Sequence, residues 1–184
     1  MNSVCVFCAS SFGASSLYRE AAEDLGRRIA GAGLRLVYGG GSVGLMGVVA
    51  RAAKRAGGDV VGVIPAFLRY AEIPETEITE LHIVDSMHAR KQKMFDLADG
   101  FISLPGGIGT LDETIELMTW AQLGRHGKPL LLVDTLGYWS AFQDLMRVIL
   151  EQEFARPSLS DLYRVVADPE QAVSALLATR SSAA

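Results

Sequence analysis

Cysteine is scarce in this chain. Only Cys5 and Cys8 occur among 184 residues, so a zinc site built from two Cys pairs is excluded. Histidine is nearly as rare, at three, and no His/Cys/acid cluster demands a metal. Basic residues form no block and the net charge is −4, so nucleic acid is not an expected partner. No apolar run reaches the eighteen or so residues that span a membrane. The opening Met1-Asn2-Ser3-Val4 lacks the basic n-region and apolar h-region of a signal peptide. The expectation is a soluble cytoplasmic protein with no membrane partner. Any anion site must then be local, made of backbone and a few cations.

What remains is enough for one domain with a full core, since apolar residues make up 49% of the chain. We expect a single domain over residues 1–180 and a frayed tail over 181–184. The spacing of Cys5 and Cys8 matches a redox or metal motif. Both lie in the apolar run Val4 to Cys8, however, where residues three apart face opposite sides of a strand. Buried thiols are the better reading.

Apolar runs bounded by glycine alternate with segments of helical period. Strands are expected over 3–8, 34–38, 59–64, 81–84, 100–104, 129–134 and 163–166. Helices are expected from Ser15 or Ser16 to Gly31 or Gly33, and over 45–56, 86–97, 110–123 and 138–152. A last one opens at Asp168-Pro169-Glu170, a cap followed by proline. Pro65 to Thr79, with Glu72, Glu75 and Glu77, reads as an irregular loop over the site. Strictly alternating strands and helices, with continuously apolar strands, predict an α/β fold. The expected form is a doubly wound, Rossmann-like parallel sheet with helices on both faces.

The chain is organised around Leu104-Pro105-Gly106-Gly107-Ile108-Gly109-Thr110-Leu111-Asp112-Glu113, a strand-to-helix turn. Glycines let a ligand approach the backbone, and the helix start offers unpaired N–H groups and a positive dipole end. That combination is an anion site, most often for phosphate. Glu113 is placed in the first turn. It either favours the helix start, as acids do, or aims a carboxylate at the ligand. Gly39-Gly40-Gly41-Ser42-Val43-Gly44 is a second such turn. It is neither a Walker A loop nor the dinucleotide fingerprint. In a parallel sheet these turns and Ser10-Ser11 converge on one crevice at the C-terminal strand ends. Ser10, Gly40 and Gly41 are therefore read as substrate-binding. Arg90 and Lys91 begin a helix and have two readings, a solvated basic face or, for Arg90, bidentate contact with an oxyanion.

Four stretches together resemble the LOG family, cytokinin riboside 5′-monophosphate phosphoribohydrolases often mislabelled lysine decarboxylases. They are Gly39 to Gly47, Met87-His88-Ala89-Arg90-Lys91, Pro105 to Glu113, and Thr119-Trp120-Ala121-Gln122-Leu123-Gly124. The similarity covers nearly the whole chain. It implies a homodimer that hydrolyses the N-glycosidic bond of an N6-substituted AMP to free base and ribose 5-phosphate. It implies catalytic roles for Arg90 and Glu113. It implies substrate contacts at Glu72, Lys91, Gly107, Ile108, Gly109, Thr110, Leu111, Asp112 and Thr119. Plant members carry Tyr at the position of Ile108 and Glu at that of Asp112, and most of the 67–80 loop differs.

Pyridoxal phosphate would need a Schiff-base lysine. The lysines are Lys54, Lys91, Lys93 and Lys128, none in a recognisable cofactor setting, so no cofactor is expected. Two alternatives stay open: an AMP nucleosidase indifferent to the N6 substituent, and a non-catalytic nucleotide or cofactor carrier. For the dimer, helices 86–97 and 110–123 are the expected interface, through exposed Met94, Met118 and Trp120.

Overall fold

The computed structural model describes residues 1–68 and 77–181. Strands β1 (Ser3–Phe7), β2 (Arg35–Tyr38), β3 (Val60–Pro65), β4 (Glu80–Val84), β5 (Gly100–Ser103), β6 (Leu130–Val133) and β7 (Arg164–Val166) form one sheet in the order β4-β3-β2-β1-β5-β6-β7. All six pairings are parallel. Helices α1 (Ser16–Gly31), α2 (Gly44–Arg55), α3 (Met87–Leu97), α4 (Ile108–Gln122), α5 (Ser140–Glu151) and α6 (Pro169–Ser181) connect and cover them. The doubly wound α/β fold is therefore as expected. Residues 182–184, most of the expected tail, lie outside the described residues.

The strand period of two sorts the core into two layers. Val4, Val6 and Cys8 join Leu36, Tyr38, Ile102 and Leu104 under α1, α2 and α6. Cys5 and Phe7 join Val37, Val61, Val63 and Phe101 under α3, α4 and α5. Cys5 and Cys8 are free, buried and on opposite faces, as the strand argument requires. Burial on both faces is why the strands read as continuous apolar runs rather than alternating ones.

The topology fixes where a ligand goes. The chain winds outward from β1 to β4 and then restarts beside β1 with β5. The segments after β1 and β5 therefore diverge and leave a crevice at their C-terminal ends. Helix starts are set by local chemistry. Ser15 accepts from the Leu17 amide at 3.3 Å and Ser86 from the Ala89 amide at 3.1 Å, ordinary N-caps. No helix among the described residues is long and apolar enough to cross a membrane.

One expectation fails at the surface of α3 and α4. Met94 and Met118 are only 1% and 5% exposed, because both point into the layer against β5 rather than outward. Trp120 is half-buried against Phe95, edge to face at 5.1 Å. The exposed apolar residues of that region are Ile108, Ile115 and Leu123.

Candidate active site

A cleft of about 280 Å³ opens between the ends of β1 and β5. Cys8, Ala9 and Ser10 line one side. Gly107, Ile108, Gly109, Thr110, Asp112 and Glu113 line another, and Arg90, Met87, Met46 and Leu68 close it. Sequence reasoning anticipated Ser10, Arg90 and the α4 start. It missed Cys8, Met46, Met87 and Leu68. Met87 carried a usable signal, since it stands one helical turn before Arg90 and its Sδ lies 3.9 Å from Arg90 Nη1.

The α4 start is a bare helix end. Its N-cap is Gly107, which has no side chain to bond the first amides. The first turn comprises Ile108, Gly109 and Thr110, and no acid stands in it. The helix begins two residues earlier than its apolar period suggests. Glu113 is therefore in the second turn, not the first, where the dipole effect has largely decayed. Favouring the helix start is thus a weak reason for that carboxylate, which lines the cleft.

The Gly39–Gly44 turn does a different job from the one expected. The α2 amides of Leu45 and Met46 donate to the carbonyls of Ser11 and Ala9, each at 3.2 Å. They are spent on the β1–α1 loop and are not offered to a ligand. Gly44 takes φ 59°, and a Cβ there would overlap the backbone of Ser10 and Ser11, so glycine is required for the crossing. Gly40 and Gly41 are buried and do not line the cleft. The expectation that they contact substrate is corrected: Gly40 lies against Val63 and Ile64, and it is Gly44 that packs on the Ser10 and Ser11 backbone.

Arg90 is only 5% exposed. Its Nε donates to Val63 O at 3.1 Å and its Nη2 to Gly39 O at 2.7 Å. The guanidinium thus hangs from the ends of β3 and β2, and a Cβ at Gly39 would strike it. These bonds satisfy part of a charge that burial would otherwise penalise. A solvated basic face is excluded for Arg90. Lys91 fits neither reading. It turns away, with its Nζ 3.0 Å from Asp112 Oδ2 and 3.1 Å from Glu116 Oε2. Burial pulls its pKa down, but the bonds and charges of those two carboxylates outweigh this and hold it above the ordinary value. Lys91 does not line the cleft; it clasps α3 to α4.

Two other expected contacts also fall elsewhere. Leu111 packs into the layer under α4. Thr119 is exposed and its hydroxyl returns to Ile115 O at 2.9 Å. Neither lines the cleft. Glu72 lies outside the described residues. Cys8 reports on the field inside the site. Burial pushes its thiol pKa far up, Glu113 pushes it further, and Arg90 pulls it down. Cys8 therefore stays a neutral thiol, and the charges of Glu113 and Arg90 both reach the same spot. None of the lysines Lys54, Lys91, Lys93 and Lys128 is among the lining residues.

Residues 46–176 match the model of a protein family described as "Possible lysine decarboxylase". A probable cytokinin riboside 5′-monophosphate phosphoribohydrolase of Oryza sativa subsp. japonica is 42% identical over 173 residues, 94% of this chain and 71% of the relative. The chain belongs to this family. Other members include the cytokinin riboside 5′-monophosphate phosphoribohydrolase of Rhodococcoides fascians. It is 43% identical over 175 residues, 95% of this chain and 88% of its own length. An Arabidopsis thaliana member is 43% identical over 159 residues, 86% and 74% of the two chains.

Solved structures share the family's fold at low identity. The molybdenum cofactor binding protein of Rippkaea orientalis superposes with TM-score 0.72 at 20% identity, over 97% of this chain and 98% of that one. The molybdenum cofactor carrier protein of Chlamydomonas reinhardtii gives 0.69 at 22%, over 97% and 99%. These likenesses speak to fold alone.

Proposed function

We propose that this protein hydrolyses the N-glycosidic bond of cytokinin riboside 5′-monophosphates, N6-substituted AMP, to the free base and ribose 5-phosphate. The observation that carries the reading is one of placement. The bare amide end of α4 and the Glu113 carboxylate line the same cleft, one helical turn apart. The first suits a phosphoryl group. The second suits a sugar carbon about to become cationic. The relatives' names point to the same chemistry.

In this mechanism the amides of Gly107, Ile108, Gly109 and Thr110 hold the 5′-phosphate. The C1′–N9 bond breaks with its electron pair going to the base, leaving an oxocarbenium-like ribose. Glu113 stabilises that cation and takes a proton from the water whose oxygen bonds to C1′. The proton that Glu113 takes from the water passes through solvent to N9 of the departing base, which returns Glu113 to its carboxylate. Arg90, held rigid by Gly39 and Val63, supplies fixed positive charge beside the leaving base without reorganising. Ser10 and Asp112 line the sugar side. Ile108 is 81% exposed at the rim and faces the region where an N6 substituent would emerge.

A decarboxylase is not supported, because no lysine lines the cleft. A carrier shares the fold, but a carrier has no use for a carboxylate in the second turn beside its anion site. An AMP nucleosidase would use the same machinery with a different base pocket. We further read the protein as a cytoplasmic homodimer. The support for the dimer is the exposed apolar residues Ile108 and Ile115 of α4 and Leu123 at its C-cap, 81%, 45% and 70% exposed.

The test is to incubate the protein with AMP and with isopentenyladenosine 5′-monophosphate and to assay free base. Faster release from the N6-substituted substrate is expected. Equal rates would leave an AMP nucleosidase, and no release from either would leave a carrier.

A further inference from the structure

The connection from β6 to α5 is wound more tightly than a plain link requires. Leu136 takes φ 59° and Gly137 φ 69°, so consecutive residues stand in a left-handed conformation that leucine rarely adopts. The loop is tied down around them. The Asp134 amide donates to Val166 O at 2.9 Å, the Gly137 amide to Asp134 O at 3.1 Å, and the Trp139 amide to Asp134 Oδ1 at 2.7 Å. Trp139 is fully buried, edge-on to Phe142 at 5.6 Å.

The result of this winding is the placement of Tyr138. Its ring stands edge-on to Trp139 at 5.2 Å and to Tyr18 of α1 at 6.4 Å. Its hydroxyl donates to the carbonyl of Gly106, inside the turn that opens α4.

We propose that Tyr138 is a positioning residue for the phosphate turn: by holding the Gly106 carbonyl it points the Gly107 N–H into the cleft. A trans peptide is planar, so the carbonyl of Gly106 and the N–H of Gly107 lie on opposite sides of the chain. Fixing one fixes the other. The peptide is flanked by glycine on both sides, so no side chain resists rotation of its plane. Once rotated, it would present a carbonyl oxygen to a phosphate in place of a donor. The two cavities give the direction. Gly106 and Tyr138 line a smaller apolar cavity of about 200 Å³ together with Tyr18 and Phe12, and do not line the main cleft. Gly107 lines both. The side of the Gly106–Gly107 peptide away from Tyr138 is therefore the cleft side. Leu136 fits as conformational strain retained where a functional group must be aimed.

This inference rests on the cleft binding a phosphoryl group. The variant is Tyr138→Phe, which keeps the ring and both edge contacts and removes only the hydroxyl. Ribose 5-phosphate affinity is measured by calorimetry on parent and variant. The kcat/KM for a nucleoside monophosphate and for its nucleoside is measured on the same samples. The expected result is about tenfold weaker ribose 5-phosphate binding, and an about tenfold smaller preference for the monophosphate, entering through KM. A merely structural role would lower the melting temperature and move neither quantity. A variant that binds ribose 5-phosphate as tightly as the parent overturns the proposal, whatever its melt. If the parent binds ribose 5-phosphate but hydrolyses no monophosphate, the hydrolase reading falls, and the two affinities still decide the role of Tyr138. A parent that binds no ribose 5-phosphate overturns both.

Discussion

Glu113 and Arg90 are tested by different measurements. Glu113 sits past the first turn of α4, so its charge stabilises the helix little. Glu113→Gln should still bind a nucleoside monophosphate, while turnover falls by roughly 10²–10⁴-fold, the usual loss for a general base. Normal turnover in that variant would remove Glu113 from the mechanism. Arg90 holds Gly39 O and Val63 O from a 95% buried position, with 5% exposed. Arg90→Ala should cost about 1–3 kcal/mol for each buried carbonyl left unpaired, besides activity. A thermal melt of Arg90→Ala beside the parent checks this. An unshifted Arg90→Ala melt would mean that the guanidinium is held by nothing that matters to folding.

At the scale of elements, what could be read from sequence divides along one line. The strand-to-helix turn at Gly106-Gly107 was legible because glycine, an apolar strand and a helical period are all local signals. So was the two-faced burial of Cys5 and Cys8, which follows from strand geometry alone. The role of Gly39–Gly44 was not legible. A glycine turn that crosses another loop and one that cradles a phosphate have the same local composition. Only the packing of Ser10 and Ser11 over Gly44 separates them. Lys91 was hidden for a similar reason, since its partners Asp112 and Glu116 stand 21 and 25 residues away on another helix.

A contact just past the end of α4 gives a pH test of how that helix is moored. His126 follows the end of α4, with Nε2 3.0 Å from Leu117 O. Burial pulls its pKa below the ordinary 6.5, and the Lys128 charge adds to this against the opposing Leu117 bond. The folded state thus takes up its proton at lower pH than the unfolded state. Stability from the neutral ring is present above pH about 6.5 and is lost as pH falls through the depressed value. Melting temperature should drop between pH 6.5 and 5 in the parent, and drop less in His126→Gln. Identical slopes would contradict this.

The molecule as a whole opens its cleft at the switch between β1 and β5 and leaves apolar residues exposed on α4 and at its C-cap. Met94 and Met118 looked suited to a partner from sequence, yet they fill the layer against the sheet. A helical period marks a face as apolar without saying which of two apolar faces looks inward. Ile108, Ile115 and Leu123 are the residues left exposed. Light scattering at micromolar concentration should give twice the 19.7 kDa chain mass, and Ile115→Asp should shift it toward the single chain. A monomeric parent would contradict the homodimer.

The central claim is that the α4 amides hold a 5′-phosphate while the bond at C1′ is cut. The most direct measurement is kcat/KM for isopentenyladenosine 5′-monophosphate against isopentenyladenosine, following free base and ribose product together. Counting only two of the four amide bonds, at about 1.5–3 kcal/mol each, predicts a preference for the monophosphate of at least roughly 10²–10⁴-fold. Base and ribose 5-phosphate should appear in equal amounts. A nucleoside cleaved as efficiently as its monophosphate would contradict the account.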